Sequence, residues 1–310
     1  MSAAATTQKA QPISISGRWI AVGTIVLVVT ALTVIVATLT ASVALISLVA
    51  LLYSVFAFTH GVLRYGLRTM VVFLVVVVVV GWSYESLSIQ TGFPFGDYYY
   101  SSGLGAKVGQ VPVAIMPSYF AFGYLSWTLA SILIGKRDNK LSGSDMWVLP
   151  VVASFLMVIW DVCMDPICST LFGEWIWEDG GPYFGVPLTN FMGWFLTVLT
   201  FYLVFALYLR VTERQTAATA ITTRGFWILA ILMYTSIAIE FWVVWVQGAG
   251  VDTVTDQTGQ VWQTVDILSS MVLISVFTMI FLSLVGVALA WHQNLRTAEV
   301  STTSATAPQG

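Results

Sequence analysis

The residues able to do chemistry are few, and most of them are acids. Asp161 and Asp165 stand four apart in WDVCMDP (160–166), directly after the apolar run PVVASFLMVI (150–159). Residues at i and i+4 share one face of a helix, and proline disfavours helix at the residue before it. The spacing therefore predicts two carboxyls side by side where a helix ends at Pro166. Two negative charges at short range in poorly hydrated surroundings do not both form readily, so one member of such a pair keeps its proton. A carboxyl that is neutral at neutral pH serves as a general acid. The plainer alternative is that both face water and simply end the helix.

Other candidates gather at the same depth. Glu85 follows a long valine run in GWSYESLSIQTGFPFGDYYY, and Asn190 opens another apolar run in GVPLTNFMGW, as a helix cap or as a group that orients a carboxyl or a water. Glu240, in SIAIEFWVVW, sits well inside an apolar segment, where a charge is expensive and usually functional. His60 and Arg64 share the i, i+4 spacing but read as interfacial anchors, as does His292, and Asp266 reads as a cap. Two stretches rich in aromatic residues flank the acids: Tyr98 to Tyr100 in one, and Trp175, Trp177, Tyr183 and Phe184 in EWIWEDGGPYF in the other. Aromatic residues commonly mark a membrane interface, yet aromatic faces also stabilise cations. Acids beside tryptophans suit a reaction that passes through a carbocation.

These groups need a scaffold, and composition names its class. Of the 310 residues 58% are hydrophobic and 9% charged, against about a quarter charged in soluble domains. The expected fold is all-α, a polytopic transmembrane helix bundle in the cell membrane. The net charge of −3 and the lack of a basic patch speak against nucleic acid. Two cysteines, Cys163 and Cys168, make no disulfide framework or zinc spacing. Two histidines, far apart in sequence, cannot supply the imidazole clusters of membrane di-iron oxygenases. Nucleotide-binding glycine motifs and haem signatures are missing too, so neither a metal nor a redox cofactor is expected.

A spanning helix needs about 20 apolar residues, and about eight such runs occur, at roughly 19–38, 41–59, 69–86, 112–134, 146–164, 189–210, 226–246 and 266–291. The first two form one stretch that as a single helix would measure about 60 Å, twice the hydrocarbon thickness, so it should fold back as a tight hairpin near TLTAS. With the N-terminus in the cytoplasm, every lysine and arginine except Lys107 falls inside, including Lys9, Arg214 and Arg296, while the acids collect outside. That asymmetry favours both termini in the cytoplasm. Residues 1–18 and 293–310 read as disordered tails around a transmembrane domain at 19–292. Two long outer segments, about 87–111 and 165–188, are rich in glycine, proline and aromatics and should be structured loops. No internal repeat of the kind found in transporters is evident.

Glu85 with TGFPFGDYYY (91–100), and the stretch from Trp160 to Trp194 with its WD, DP, WIW, GGPYFGVP and NFMGW elements, resemble the membrane-bound carotenoid biosynthesis family. That family contains the bisanhydrobacterioruberin hydratase and carotenoid 1,2-hydratase enzymes, and the likeness extends from about residue 50 to 290. It implies addition of water to the terminal C=C of an acyclic or monocyclic carotenoid, without a cofactor and giving a tertiary alcohol. On that reading Asp161 or Asp165 donates the proton, the other or Glu85 handles the water, Asn190 orients one of them, and Glu240 joins the candidate catalytic set. Trp160, Trp175, Trp177, Tyr183, Phe184, Trp194 and Tyr98 are expected to bind substrate and screen the cation. Spacing does not decide which carboxyl is the acid. The expected partners are a carotenoid dissolved in the bilayer, the lipid itself and other membrane enzymes of the pathway. The competing classes are a carotenoid-binding or transport protein without catalysis, and a carotenoid isomerase or cyclase.

Overall fold

Apolar runs of this length must satisfy their backbone groups internally, and in a computed structural model they do so as helices. The structure describes residues 11–141, 143–212 and 219–292. The tails 1–10 and 293–310, with Lys9 and Arg296, and the segment holding Arg214 lie outside the described residues. Among the described residues eight long helices follow in order: α1 (Gly17–Thr40), α2 (Val43–Tyr65), α3 (Leu67–Thr91), α4 (Ile115–Leu133), α5 (Asp145–Leu171), α6 (Leu188–Thr212), α7 (Arg224–Gln247) and α8 (Thr264–His292). Seven of them are long and apolar enough to cross a membrane. The eighth, α4, has 19 residues rich in Ser, Tyr, Phe and Trp, and from Tyr119 to Ile132 every one is buried. It touches α2, α3, α5 and α7, so it faces protein rather than lipid and can carry polar groups the outer helices cannot.

The joints follow from local chemistry. The expected hairpin between α1 and α2 turns at Ala41, whose φ of 47° caps the first helix. Gly92, with φ 73°, ends α3, and a Cβ there would lie 2.7 Å from an Asp97 carboxyl oxygen, so glycine is favoured. Short strands tie the loops at the two ends of the bundle. At one end β1 (Gln11–Ile13) pairs in parallel with β6 (Thr219–Ile221). Residues 11–13 are thus strand where the sequence reading put a tail, because Thr219 to Ile221 offer them a free backbone edge. At the other end β2 (Tyr98–Tyr100) pairs antiparallel with β5 (Trp175–Trp177), joining the two long aromatic loops. The hairpins β3 (Lys107–Val108) with β4 (Val111–Pro112) and β7 (Thr253–Thr255) with β8 (Val261–Gln263) complete that end.

Two expectations about helix ends fail. Pro166 does not stop α5; the helix continues through Pro166–Leu171 as a wide π turn. A proline inside a helix leaves the carbonyl four residues back without its donor, and here Tyr183 supplies one, its hydroxyl donating to Val162 O at 3.1 Å. His60 and Arg64 are not interfacial anchors, being only 0% and 5% exposed. The aromatic side chains of α1, α4 and α7 close over them, among them Trp19, Tyr124, Phe226 and Trp227.

Candidate active site

The site grows from the meeting of α5 and α6, the most extensive helix contact in the bundle. Asp161 and Asp165 lie one turn apart on the inner face of α5, each 1% exposed. Asn190, in the first turn of α6 and equally buried, donates its amide to Asp161 Oδ2 at 3.0 Å and to Asp165 Oδ2 at 2.6 Å. An amide NH2 has two protons, so one asparagine holds both acids. Gly193, one turn further, lets α6 lie against the TGFPFG turn: a Cβ there would come within 2.8 Å of the Pro94 carbonyl. Thr189 closes the same contact by donating its hydroxyl to Phe95 O at 2.9 Å.

A second carboxyl cluster faces the first. Glu85, 3% exposed in α3, accepts hydrogen bonds from three phenols: Tyr98 and Tyr100 at Oε2, the latter at 2.9 Å, and Tyr119 at Oε1, at 2.5 Å. Burial and the Glu85 charge hold the Tyr98 and Tyr100 phenols well above their usual range, so both remain donors. The β2–β5 ribbon links the clusters. Alternate residues of a strand share a face. Tyr98 and Tyr100 therefore point inward to Glu85 while Tyr99 is 45% exposed. Trp175 and Trp177, their register partners, aim their indole N–H groups at Asp165 Oδ1, at 2.8 and 3.3 Å.

Between the clusters is a cavity of about 240 Å³ walled by rings. Trp194 stacks on Tyr119 with centroids 4.6 Å apart and meets Trp160 edge-on, and Trp160 in turn packs on Phe122 at 4.1 Å. Of the expected site residues, Glu85, Asp165, Asn190, Trp160, Trp175, Trp177, Trp194, Tyr98 and Glu240 line this cavity. Asp161 stands directly behind, bonded to Asn190 through one oxygen while the other has no hydrogen-bond partner among the described residues. Tyr183 and Phe184 do not line it. Their loop doubles back, so Tyr183 caps the carbonyl left free by Pro166 and Phe184 packs edge-on against Trp262.

Sequence reasoning missed Tyr119, Phe122, Tyr53 and Glu174, all on the cavity wall. For Tyr119 and Phe122 the signal was the hydroxyl and aromatic content of α4, too rich for a helix facing lipid. Glu174 stands with Cys168 and Glu240 on the wall, and burial pushes its carboxyl above the usual range. No group of three or more metal-ligating side chains converges among the described residues. The arrangement combines a buried acid pair, a second carboxyl rich in donors and an aromatic lining, a set able to give a proton, take one and shelter positive charge between.

The sequence profile described as "Carotenoid biosynthesis protein" matches residues 42–255, which span both carboxyl clusters. The chain belongs to the carotenoid biosynthesis protein family. It is also 28% identical over 125 residues to the bisanhydrobacterioruberin hydratase of Haloarcula japonica, a match spanning 40% of each chain. No solved structure matches. Family and helices together make this a multi-pass membrane protein of carotenoid biosynthesis.

Proposed function

We propose that the protein is a carotenoid hydratase, adding water to the terminal double bond of an acyclic or monocyclic carotenoid such as bisanhydrobacterioruberin. The observation that carries this reading is the pairing of two carboxyl clusters across one aromatic cavity: Asp161 and Asp165 under Asn190, and Glu85 under three phenols. The hydratase relative in Haloarcula japonica supports it from outside.

In the proposed reaction the aspartate pair holds one proton, and Asp165, the member on the cavity wall, delivers it. The proton goes to the less substituted carbon of the terminal double bond. The π electron pair becomes the new C–H bond and leaves a tertiary cation. Indole and amide donors from Trp175, Trp177 and Asn190 then stabilise the Asp165 carboxylate. Ring faces of Trp160, Trp194 and Tyr119 stabilise the cation. A water held at Glu85 attacks through oxygen, forms the C–O bond and passes a proton to Glu85. That proton returns to the aspartates, and the sum is alkene plus water to tertiary alcohol. No oxidant or reductant enters the balance. Following the charge asymmetry, the acidic end with this site faces outward and both termini lie in the cytoplasm. Other membrane enzymes of the pathway are the natural neighbours.

The test is pigment analysis by chromatography and mass spectrometry in a host that makes acyclic carotenoids, with and without this chain. The expected product is heavier by one water per reacted end. Bound but unchanged pigment would point to a carrier, and a product of unchanged mass to an isomerase or cyclase; either result rejects the hydratase reading.

A further inference from the structure

A carotenoid is far longer than this cavity. Pockets that enclose even a drug-sized ligand run to about 300–1,000 Å³, and this one measures about 240 Å³. Only an end group fits, so the rest of the chain must pass through an opening. Exposure along the cavity wall locates it. At the acid end Glu85, Asp165 and Asn190 are 3%, 1% and 1% exposed. At the opposite wall Ile46 is 49% exposed although it lines the same cavity, and Ser47 and Ala114 are exposed beside it. Residues that face both the cavity and the outside mark a doorway.

The outside there is lipid rather than water. Ile46, Ser47 and Ala50 belong to α2, one of the helices apolar enough to span a membrane. Their outward neighbours Leu48, Leu51 and Val113 are 39%, 57% and 50% exposed. Leu104 and Ile115 form the remaining edge of the wall. None of these five rim residues is ionisable, while Glu174 and Glu240 also line the cavity.

We propose that the gap bounded by Ile46, Ser47 and Ala50 of α2 and by Leu104 and Ile115 is a lateral portal, through which the end of a linear polyene enters from the bilayer while its remainder stays in lipid. The proposal rests on the hydratase reading and adds to it a route and a selection rule: a slender, unbranched apolar chain passes, and bulk at the rim stops it. Small side chains at Ser47 and Ala50 set the width.

The test plugs the doorway after folding. Purified Ser47→Cys in a Cys168→Ser background, reconstituted in lipid nanodiscs with an acyclic carotenoid, is modified with a bulky disulfide-forming reagent and later released with reductant. The Cys168→Ser parent, treated alike, sets the baseline. Modification should lower conversion about tenfold or more, and reductant should restore it. If the parent converts carotenoid and the modified protein stays within about twofold of the unmodified one, the portal is wrong and the hydratase reading stands. If the parent converts nothing, pigment uptake by the same proteins decides the portal: slower uptake after modification supports it and unchanged uptake overturns it, while the hydratase reading falls only if the wild-type protein, reconstituted alike, converts nothing either.

Discussion

Asp161 and Asp165 on α5, and His60 and Arg64 on α2, are spaced alike, one turn apart, and each of the four is at most 5% exposed. Their surroundings differ. The aspartates share Asn190, reach two indoles and adjoin a cavity. The basic pair is sealed. His60 Nε2 must donate to Phe226 O at 3.0 Å, since a carbonyl only accepts, so Nδ1 accepts from the Tyr124 hydroxyl at 2.6 Å. The three guanidinium nitrogens of Arg64 are shut off from solvent and find no acceptor among the described residues; its charge rests against the rings of Tyr65 and Trp227, at 4.7 and 4.8 Å. Equal spacing and burial therefore do not make equal chemistry. What separates the pairs is the cavity that adjoins the aspartates.

The sharpest way to break this contrast is to remove one charge from each pair. Asp165→Asn should lower carotenoid hydration roughly a hundred- to ten-thousandfold, read by chromatography at equal protein level. Arg64→Met should leave conversion within about twofold. The reverse outcome would put the function at the wrong end of the bundle. Next in size, Glu85→Gln should cost about a hundredfold and Tyr119→Phe about tenfold, because the second removes one of three donors from a carboxyl that the first neutralises. Equal losses from both would show that the phenol, not the carboxyl, handles the water.

Stability sharpens the contrast from the other side. Arg64→Met removes an uncompensated buried charge and should raise stability by about 1 kcal/mol net of the lost ring contacts, measured by unfolding in detergent. A fall would mean that the guanidinium has a partner worth more than those rings. Tyr183→Phe strips the donor from Val162 O and should cost about 1 kcal/mol with little change in turnover. The smallest effect concerns Glu174, whose carboxyl burial holds above the usual range. The folded chain keeps that proton where the unfolded chain has released it. Stability should therefore fall as pH rises from the ordinary carboxylate value to the raised one, and level off above. Glu174→Gln should flatten that slope in unfolding midpoints taken across mildly acid pH.

Most of the scaffold was legible because lipid leaves a chain little choice. A run of about twenty apolar residues has one solution, and all eight runs became helices. The bundle's interior was harder to see. Tyr119 and Phe122 lie in an apolar segment where an aromatic residue looks the same whether it faces lipid or the interior; the composition of α4 hints at the interior, and its burial decides. Asn190 was read as either a cap or an orienting group, and its two bonds to the aspartates are long-range contacts that no local pattern encodes. Pro166 misled for the same reason, since the tyrosine that rescues its turn arrives seventeen positions later. Tyr183 and Phe184 shared a loop with Trp175 and Trp177, but two strand residues alternate inward while the loop beyond them turns away.

The wide turn at Pro166–Leu171 leaves its mark on which length changes the gene tolerates. A π turn holds one residue more than an α turn, so losing a single codon there would restore regular helix. Because that regular turn still completes one rotation, the chain would leave α5 in nearly the same direction, and Trp175 and Trp177 would keep their aim at Asp165. In the α-helical stretch before it each residue advances the helix by about 100°, so the same loss there would swing both indoles away. Single-residue deletions should therefore be better tolerated within these six residues than in the turns before them, a restriction on length that is separate from any restriction on residue type.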